Sequence, residues 1–310
     1  MPLKWNRKTL LAKIETTYGT DAAPTGAANA VLATNVQLQP MEGQDVSREL
    51  ELATLGAQGT VPVEVHAKLS FEVELAPSGV AGTAPAWGAL LRACAVAETI
   101  AAGVSVTYNP VSTNHESATL YLNVDGSKFA LVGARGTATI KVEAQKIPKI
   151  AFAFTGLFTL PADVAPPTPV LTAWQKPIVA TKTNTPVFTL NALPMVLRSM
   201  ELDLANEIAT RFLIGSEGVL ITQKSEKITA TVEAVPMATF NPYALALAQT
   251  AVPLTLTHGL GAGKIATINA PLAQIQRPSG LAQQQGIVEW PLSFVPQPNA
   301  GNDQWTLVLT

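Results

Sequence analysis

Gly259-Leu260-Gly261-Ala262-Gly263-Lys264 is the stretch of this chain that comes closest to carrying chemistry. A glycine-rich turn ending in lysine can wrap backbone N–H groups round a phosphate, with the lysine reaching its charge. The motif fails at both ends. His258 stands where its first glycine is needed, and Ile265 replaces the required serine or threonine. The stretch therefore reads as a flexible turn between strands. His66, His115 and His258 lie far apart with no metal-ligand spacing, and Cys94 is the single cysteine. Spacing thus offers neither a zinc site nor a disulfide. No Gly-x-Ser-x-Gly elbow presents a nucleophile, and no spacing nominates two carboxylates for acid–base work. Arg135-Gly136, close to Gly133, reads as another turn. The expectation is a protein with no catalytic site, no metal and no cofactor.

Composition points the same way. A chain of 310 residues suggests about two domains of ~150 residues. Only 14% of it is charged, well below the roughly 25% usual for soluble domains. With 23 Pro and 21 Gly, it suits a protein that buries surface in an assembly. A net charge of −2 leaves no footprint for tight nucleic-acid binding. No run approaches the ~18 apolar residues of a membrane span. The basic start, Lys4 to Lys8, has no apolar segment behind it, so no signal peptide is expected. The lone cysteine suits a reducing compartment.

The elements that would position any site come in two sets. Leu55–Pro77 lies without a gap over Ile214–Pro236. Gly56/Gly215, Gly59/Gly218, Lys68/Lys227, Val73/Val232, Glu74/Glu233 and Pro77/Pro236 are identical pairs, and Leu55/Ile214, Leu69/Ile228 and Ser70/Thr229 are conservative ones. A repeat of domain size predicts a duplicated unit, not a solenoid. The matched strands keep their parity. Leu69, Phe71, Val73 and Leu75 face one way, with Lys68, Ser70, Glu72 and Glu74 opposite. Ile228, Ala230, Val232 and Ala234 oppose Lys227, Thr229, Thr231 and Glu233. Since a one-residue slip inverts every side chain, the polar face is expected to have a task in both copies. A short helix follows each block. Trp87, Leu90, Leu91 and Cys94 are at core spacing in the first, and Pro242, Tyr243, Ala246, Leu247 and Thr250 take the matching places in the second. Further strand patterns, with Asp125-Gly126 as a hairpin turn, complete a mainly β chain. The division predicted is an N-terminal arm at 1–35, a first unit at 36–160, a proline-rich linker at 161–190 and a second unit at 191–310. Each unit would carry one short α-helix.

The arm carries a resemblance. Leu10-Leu11-Ala12-Lys13-Ile14-Glu15-Thr16-Thr17-Tyr18-Gly19-Thr20-Asp21-Ala22-Ala23-Pro24 resembles the start of the major tail tube proteins of long-tailed bacteriophages, most closely those of Mu-like siphophages. The resemblance implies two tandem tail-tube-type β-sandwich or barrel units whose inner sheets join round a ring. A chain with two units would form a trimer of pseudo-sixfold symmetry, and rings would stack through loops and arms. It implies a virion component, assembled in the host cytoplasm, through which DNA passes without specific binding. The partners implied are further copies of itself and tape-measure, tail terminator and baseplate proteins, with no membrane. A DNA conduit should not grip phosphates, so acidic and neutral polar groups are expected on its wall. The polar strand face supplies Glu64, Glu72, Glu74 and Glu233, alongside Lys68 and Lys227. Lys13, Glu15, Tyr18 and Asp21 mark the arm expected between rings. The alternative is an adhesion, baseplate or capsid-decorating module built of β-sandwiches.

Overall fold

The computed structural model describes residues 2–310. The chain enters through strand β1 (Lys8–Ile14), the one-turn helix α1 (Gly26–Asn29) and β2 (Ala30–Val31). Strands β3 (Thr34–Ser47) and β4 (Thr60–Glu74) form a long hairpin, followed by helix α2 (Gly88–Arg92). Strands β5 (Val96–Ala101), β6 (Ser105–Pro110), β7 (Ala118–Val124), β8 (Ser127–Glu143) and β9 (Lys149–Phe158) complete the first half. Three short strands lead onward: β10 (Ala162–Asp163), β11 (Val187–Leu190) and β12 (Leu193–Pro194). A second long hairpin has two segments on each limb, β13 (Leu197–Asp203) with β14 (Asn206–Leu213), and β15 (Ser216–Lys224) with β16 (Lys227–Glu233). Helix α3 (Pro242–Leu247) precedes β17 (Ala251–His258), β18 (Ala266–Ile275), β19 (Ala282–Gln284), β20 (Ile287–Pro296) and β21 (Thr306–Leu309).

The protein is mainly β, arranged as an open β-sandwich. One layer runs through both halves in the order β3–β4–β9–β8–β13–β16–β20–β19, with every neighbour antiparallel. The join between the halves is the β8–β13 pair, from Ser199↔Glu143 to Asp203↔Thr139. The other layer also bridges the halves. There β21 sits between β6 and β18, which continue outward to β5 and to β17 and β11. Strands β2, β1 and β7 extend the early part of β8.

Alternation builds the core between the layers. Leu69, Phe71, Val73 and Leu75 are buried, as are Ile228, Ala230 and Val232. Phe71, Phe152 and Phe154 meet across β4 and β9 with ring centroids 5.7 to 5.9 Å apart. Burying each such ring contributes roughly 1.5–3 kcal/mol. Trp87 is buried beside α2 and donates its indole N–H to the Ala76 carbonyl at 2.9 Å. Its expected counterpart does not behave this way. Tyr243 is exposed, and Phe240, three residues earlier, enters the core against Trp290 at 6.0 Å. The cause is local: Asn241 caps α3 by accepting from the Ala244 N–H at 3.0 Å, which starts the helix after Phe240 has turned inward.

Two further readings change. The long strand of the first half is split in the second, because Ser225 and Glu226 separate β15 from β16. Arg135 is not in a turn; it lies within β8 beside a bulge that falls between Val132 and Arg135. The glycine stretch does form the turn from β17 to β18. Gly259, Gly261 and Gly263 all have positive φ, and a Cβ on Gly259 would fall 1.9 Å from the Lys264 carbonyl oxygen. The prolines of 161–190 lie outside the strands, but Val187–Leu190, just past Pro186, pairs with β12 and β17.

Candidate functional site

The side of the eight-stranded layer turned away from the core is a continuous polar face. Its rows follow from strand register. Glu72, Ala151, Thr139, Asp203 and Lys227 form one row, and Glu74, Lys149, Lys141, Glu201 and Thr229 the next. Between the charges lie Ser70, Thr137, Thr155, Ser199, Thr231 and Ser293. The charges are largely paired. Lys149 Nζ is 2.8 Å from Glu72, Lys141 is 3.5 Å from Glu201, and the Thr139 hydroxyl donates to Asp203 at 3.2 Å. The Lys149 hydrogen bond is the main reason the Glu72 carboxyl sits below its ordinary pKa, and Asn35, donating at 2.9 Å, adds to it. Among the described residues Lys68 and Lys227 have no ion-pair partner.

The expected wall residues are therefore only partly together. Glu72 and Glu74 lie on β4, and Glu233 lies on β16, four strands away on the same face. Glu233 is opposite Glu289 in register. That buried carboxylate accepts from Arg198 Nε at 2.6 and 2.7 Å, so Arg198 neutralises the acidic corner. Glu64 stands apart, beyond the part of β4 that pairs with β9, at a positive φ of 55° where the hairpin register breaks. It helps line an open cavity of about 360 Å³ with Gln44, His66, Thr155 and Thr210.

The arm residues are spent on the chain itself. Glu15 is buried and accepts from Gly133 N at 2.7 Å, Gly19 N at 2.9 Å, Ser117 Oγ at 2.6 Å and Thr119 Oγ1 at 2.8 Å. Lys13 donates to the Ala22 carbonyl at 2.9 Å, and Asp21 accepts from the Tyr121 hydroxyl. Tyr18 accepts from Val219 N at 2.6 Å while its ring lies 4.6 Å beneath the Arg135 guanidinium. Burial raises the Tyr18 pKa. Ahead of these anchors Leu3 and Trp5 are exposed.

Sequence reasoning missed the docking of the second hairpin. At Ala205, with φ 43°, the chain leaves the common layer, and β14 and β15 continue as a separate two-stranded ribbon lying against the first half. Buried Asn206 donates to Cys94 O at 2.8 Å and Gly136 O at 3.0 Å, Arg135 donates to Val219 O at 2.9 Å, and Lys224 donates to Ala95 O at 2.7 Å. The "Asp-Leu-Ala-Asn" of 203–206 was the only local sign of a bend. At the hairpin tips, the repeat-matched Leu55 and Ile214 are both fully exposed.

No group of three or more His, Cys, Asp or Glu among the described residues could hold a metal. A cavity of about 590 Å³, lined by Val142, Lys182, Phe188, Met195 and Arg198 among others, has no carboxylate, histidine or cysteine in its lining. Burial pushes the Cys94 thiol pKa up, which leaves it a packing residue. The remaining chemistry is that of surfaces: a largely charge-paired polar face, the open edges of the strand layers, and hairpin tips that expose Leu55 and Ile214. A family model described as phage tail tube protein matches residues 5–295. No curated protein matches.

Proposed function

Because the chain belongs to the phage tail tube protein family, a structural and not an enzymatic one, we propose that it builds the tail tube of a Mu-like siphophage from stacked rings of three chains. Each chain contributes two units, 36–160 and 191–310, joined by 161–190 and descended from one duplicated ancestor. Three chains give six units round the ring. The observation that carries this reading is the layer that crosses both halves and ends in β3 on one side and β19 on the other. The supporting parallel is positional: β4 lies between β3 and β9 as β16 lies between β13 and β20. Open sheet edges favour pairing with another chain, and closure into a barrel removes them. A head-to-tail contact that closes gives the ring.

The polar face lines the bore, with Glu72, Glu74 and Glu233 on the wall and Glu64 out on the hairpin. Its cations are mostly held by neighbouring carboxylates, so few remain to add salt-dependent grip on phosphates. Paired charges act over no more than about the 8 Å screening length of physiological salt. DNA therefore passes without specific binding. The arm, fixed by Lys13, Glu15, Tyr18 and Asp21, directs Leu3 and Trp5 outward toward the adjacent ring. Assembly takes place in the host cytoplasm and ends in the virion, where tape-measure, terminator and baseplate proteins meet the tube. Electron microscopy of the purified chain tests the reading. Hollow tubes, or threefold rings with six lobes, are the expected result; compact monomers or dimers under all conditions would instead indicate an adhesion or decoration module.

A further inference from the structure

The seam inside the chain can be carried over, residue by residue, to the seam between chains. Strand β13 lies on β16 as β3 lies on β4. Glu201↔Thr229, Leu202↔Ile228 and Asp203↔Lys227 in one match Gln37↔Ser70, Leu38↔Leu69 and Gln39↔Lys68 in the other. The β16 and β4 residues in these pairs are the aligned positions of the repeat, so Leu38 corresponds to Leu202. The opposite side follows in the same way. Phe294 faces Ile228 as Phe154 faces Leu69, and Glu289 faces Glu233 as Lys149 faces Glu74. Lys149 is opposite Lys141, and Glu289 is opposite Ala282. Ala282 therefore corresponds to Lys141, and Leu281 to Ile140.

Resting on the ring reading, we infer that Gln37–Gln39 of one chain pairs antiparallel with Gly280–Ala282 of the next, in the register Gln39↔Gly280, Leu38↔Leu281 and Gln37↔Ala282, up to the bulge that β3 carries between Thr34 and Gln37. Three observations support it besides the parallel. In the internal seam Ile140 and Leu202 face each other and are both 0% exposed. Leu281 is 65% exposed, and pairing would give it Leu38, which is only half-buried, as its partner. Neither segment contains a lysine, another charge or a proline, the features that ordinarily blunt a sheet edge against pairing. Pro40 lies just past Gln39 and lacks the N–H that Leu204 donates to Ala138 at the same place in the internal seam, so the ladder stops there.

The chemistry of the two seams differs. The Lys141–Glu201 ion pair is replaced by Ala282 and Gln37, and Thr139 with Asp203 by Gly280 and Gln39. The inter-chain seam is amide-lined and uncharged, so ring formation should change little between low and high salt. The exposed outer part of the first hairpin then has an occupant too. As β14 and β15 lie on the first half of their own chain, the β3–β4 hairpin beyond Gly43 lies on the second half of the next chain.

Disulfide trapping tests the register. The Leu204 N–Ala138 O and Ala144 N–Arg198 O bonds place Glu201 and Lys141 at a non-hydrogen-bonded pair, with Cα atoms about 4.5 Å apart, within reach of a disulfide. Gln37→Cys with Ala282→Cys should therefore link chains into covalent trimers on mild oxidation. The two sites are seven strand spacings apart within one chain, on the order of 30 Å, so no intrachain link competes. Gln37→Cys with Gln283→Cys, whose side chains point to opposite faces, should link at least tenfold more slowly. Assembled rings that fail to link through 37 and 282, or that link faster through 37 and 283, would overturn the register while leaving the ring reading intact. Absence of rings from the unmodified chain would overturn both. Leu281→Lys gives an independent measure: its unfolding curve should match the parent's and its rings should be lost. Normal ring assembly by that variant would also overturn the inference.

Discussion

The two long hairpins of this chain begin alike and finish differently. Both lay a basal segment into the common layer, β3 and β4 in the first half and β13 and β16 in the second. The second then bends at Ala205, and its distal part is anchored on the first half by Asn206, Lys224 and the Val219 contacts. The first has no such surface within its own chain. It stays paired out to Ser47↔Thr60, with Met41, Val46 and Val61 exposed. The difference lies in what each hairpin has beside it more than in its own strand propensity. The same kind of ribbon is thus covered in one half and left exposed, with several apolar side chains, in the other.

The comparison can be broken most forcefully at the basal segments. Leu202→Ala removes a fully buried side chain from the internal seam and should destabilise the isolated chain by about 2–5 kcal/mol. Leu38→Ala, at the matching place on the open edge, should cost no more than about 1 kcal/mol while weakening ring formation. Urea unfolding of both variants decides the matter, and equal losses would mean that the two seams are not counterparts.

Next in size is the anchor. Asn206→Ala leaves the Cys94 and Gly136 carbonyls without their side-chain donor, which should cost about 1–3 kcal/mol. Amide exchange should quicken across 206–224 and stay unchanged across 34–47 and 60–74. Uniform quickening would show that the second hairpin is not held separately.

Smaller still is the charge at the internal seam. Lys141 and Glu201 are both about half exposed, so Lys141→Ala should lower stability by at most about 1 kcal/mol in dilute buffer. That loss should fade in high salt. The open edge, with Ala282 and Gln37 in the matching places, should have no such salt dependence.

The smallest effect is a titration. With its pKa held below that of an unpaired glutamate, near 4.5, by Lys149, Glu72 contributes stability that is present above 4.5 and lost as pH falls through the lowered folded value. Lys149→Met should move the Glu72 transition upward, read by carboxyl NMR. An unmoved transition would leave Lys149 with no part in it.

Much of this was legible in the residues. The parity of Leu69 to Leu75 and Ile228 to Val232, the Asp125-Gly126 turn and the failed phosphate motif all depend on near neighbours, which a sequence displays directly. The arm's Lys13 to Asp21 run was legible as a unit, but the burial of Glu15 was not, because its hydrogen-bond donors Ser117, Thr119 and Gly133 lie over 100 positions away. Tyr243 kept the helical spacing of a core aromatic, yet the Asn241 cap shifted the helix start and sent Phe240 inward instead. Of the glutamates expected to line a bore, Glu72, Glu74 and Glu233 share one sheet face as alternation implies, while Glu64 is displaced by a register break that alternation does not show. The β8–β13 join had no local signal at all, since a strand edge is completed by whatever the rest of the fold brings beside it.

Strand β21, wedged between β6 and β18, has a consequence for the order of events in folding. Val308 pairs with Thr107, about 200 residues earlier in the chain, a separation that makes such contacts slow to form. It pairs at the same time with Thr267 of the other half. Until β21 has been synthesised, this layer lacks the bridge that β21 makes between its halves, however early β6 and β18 have formed. The two halves are thus clasped late, after each has had time to pair its own strands.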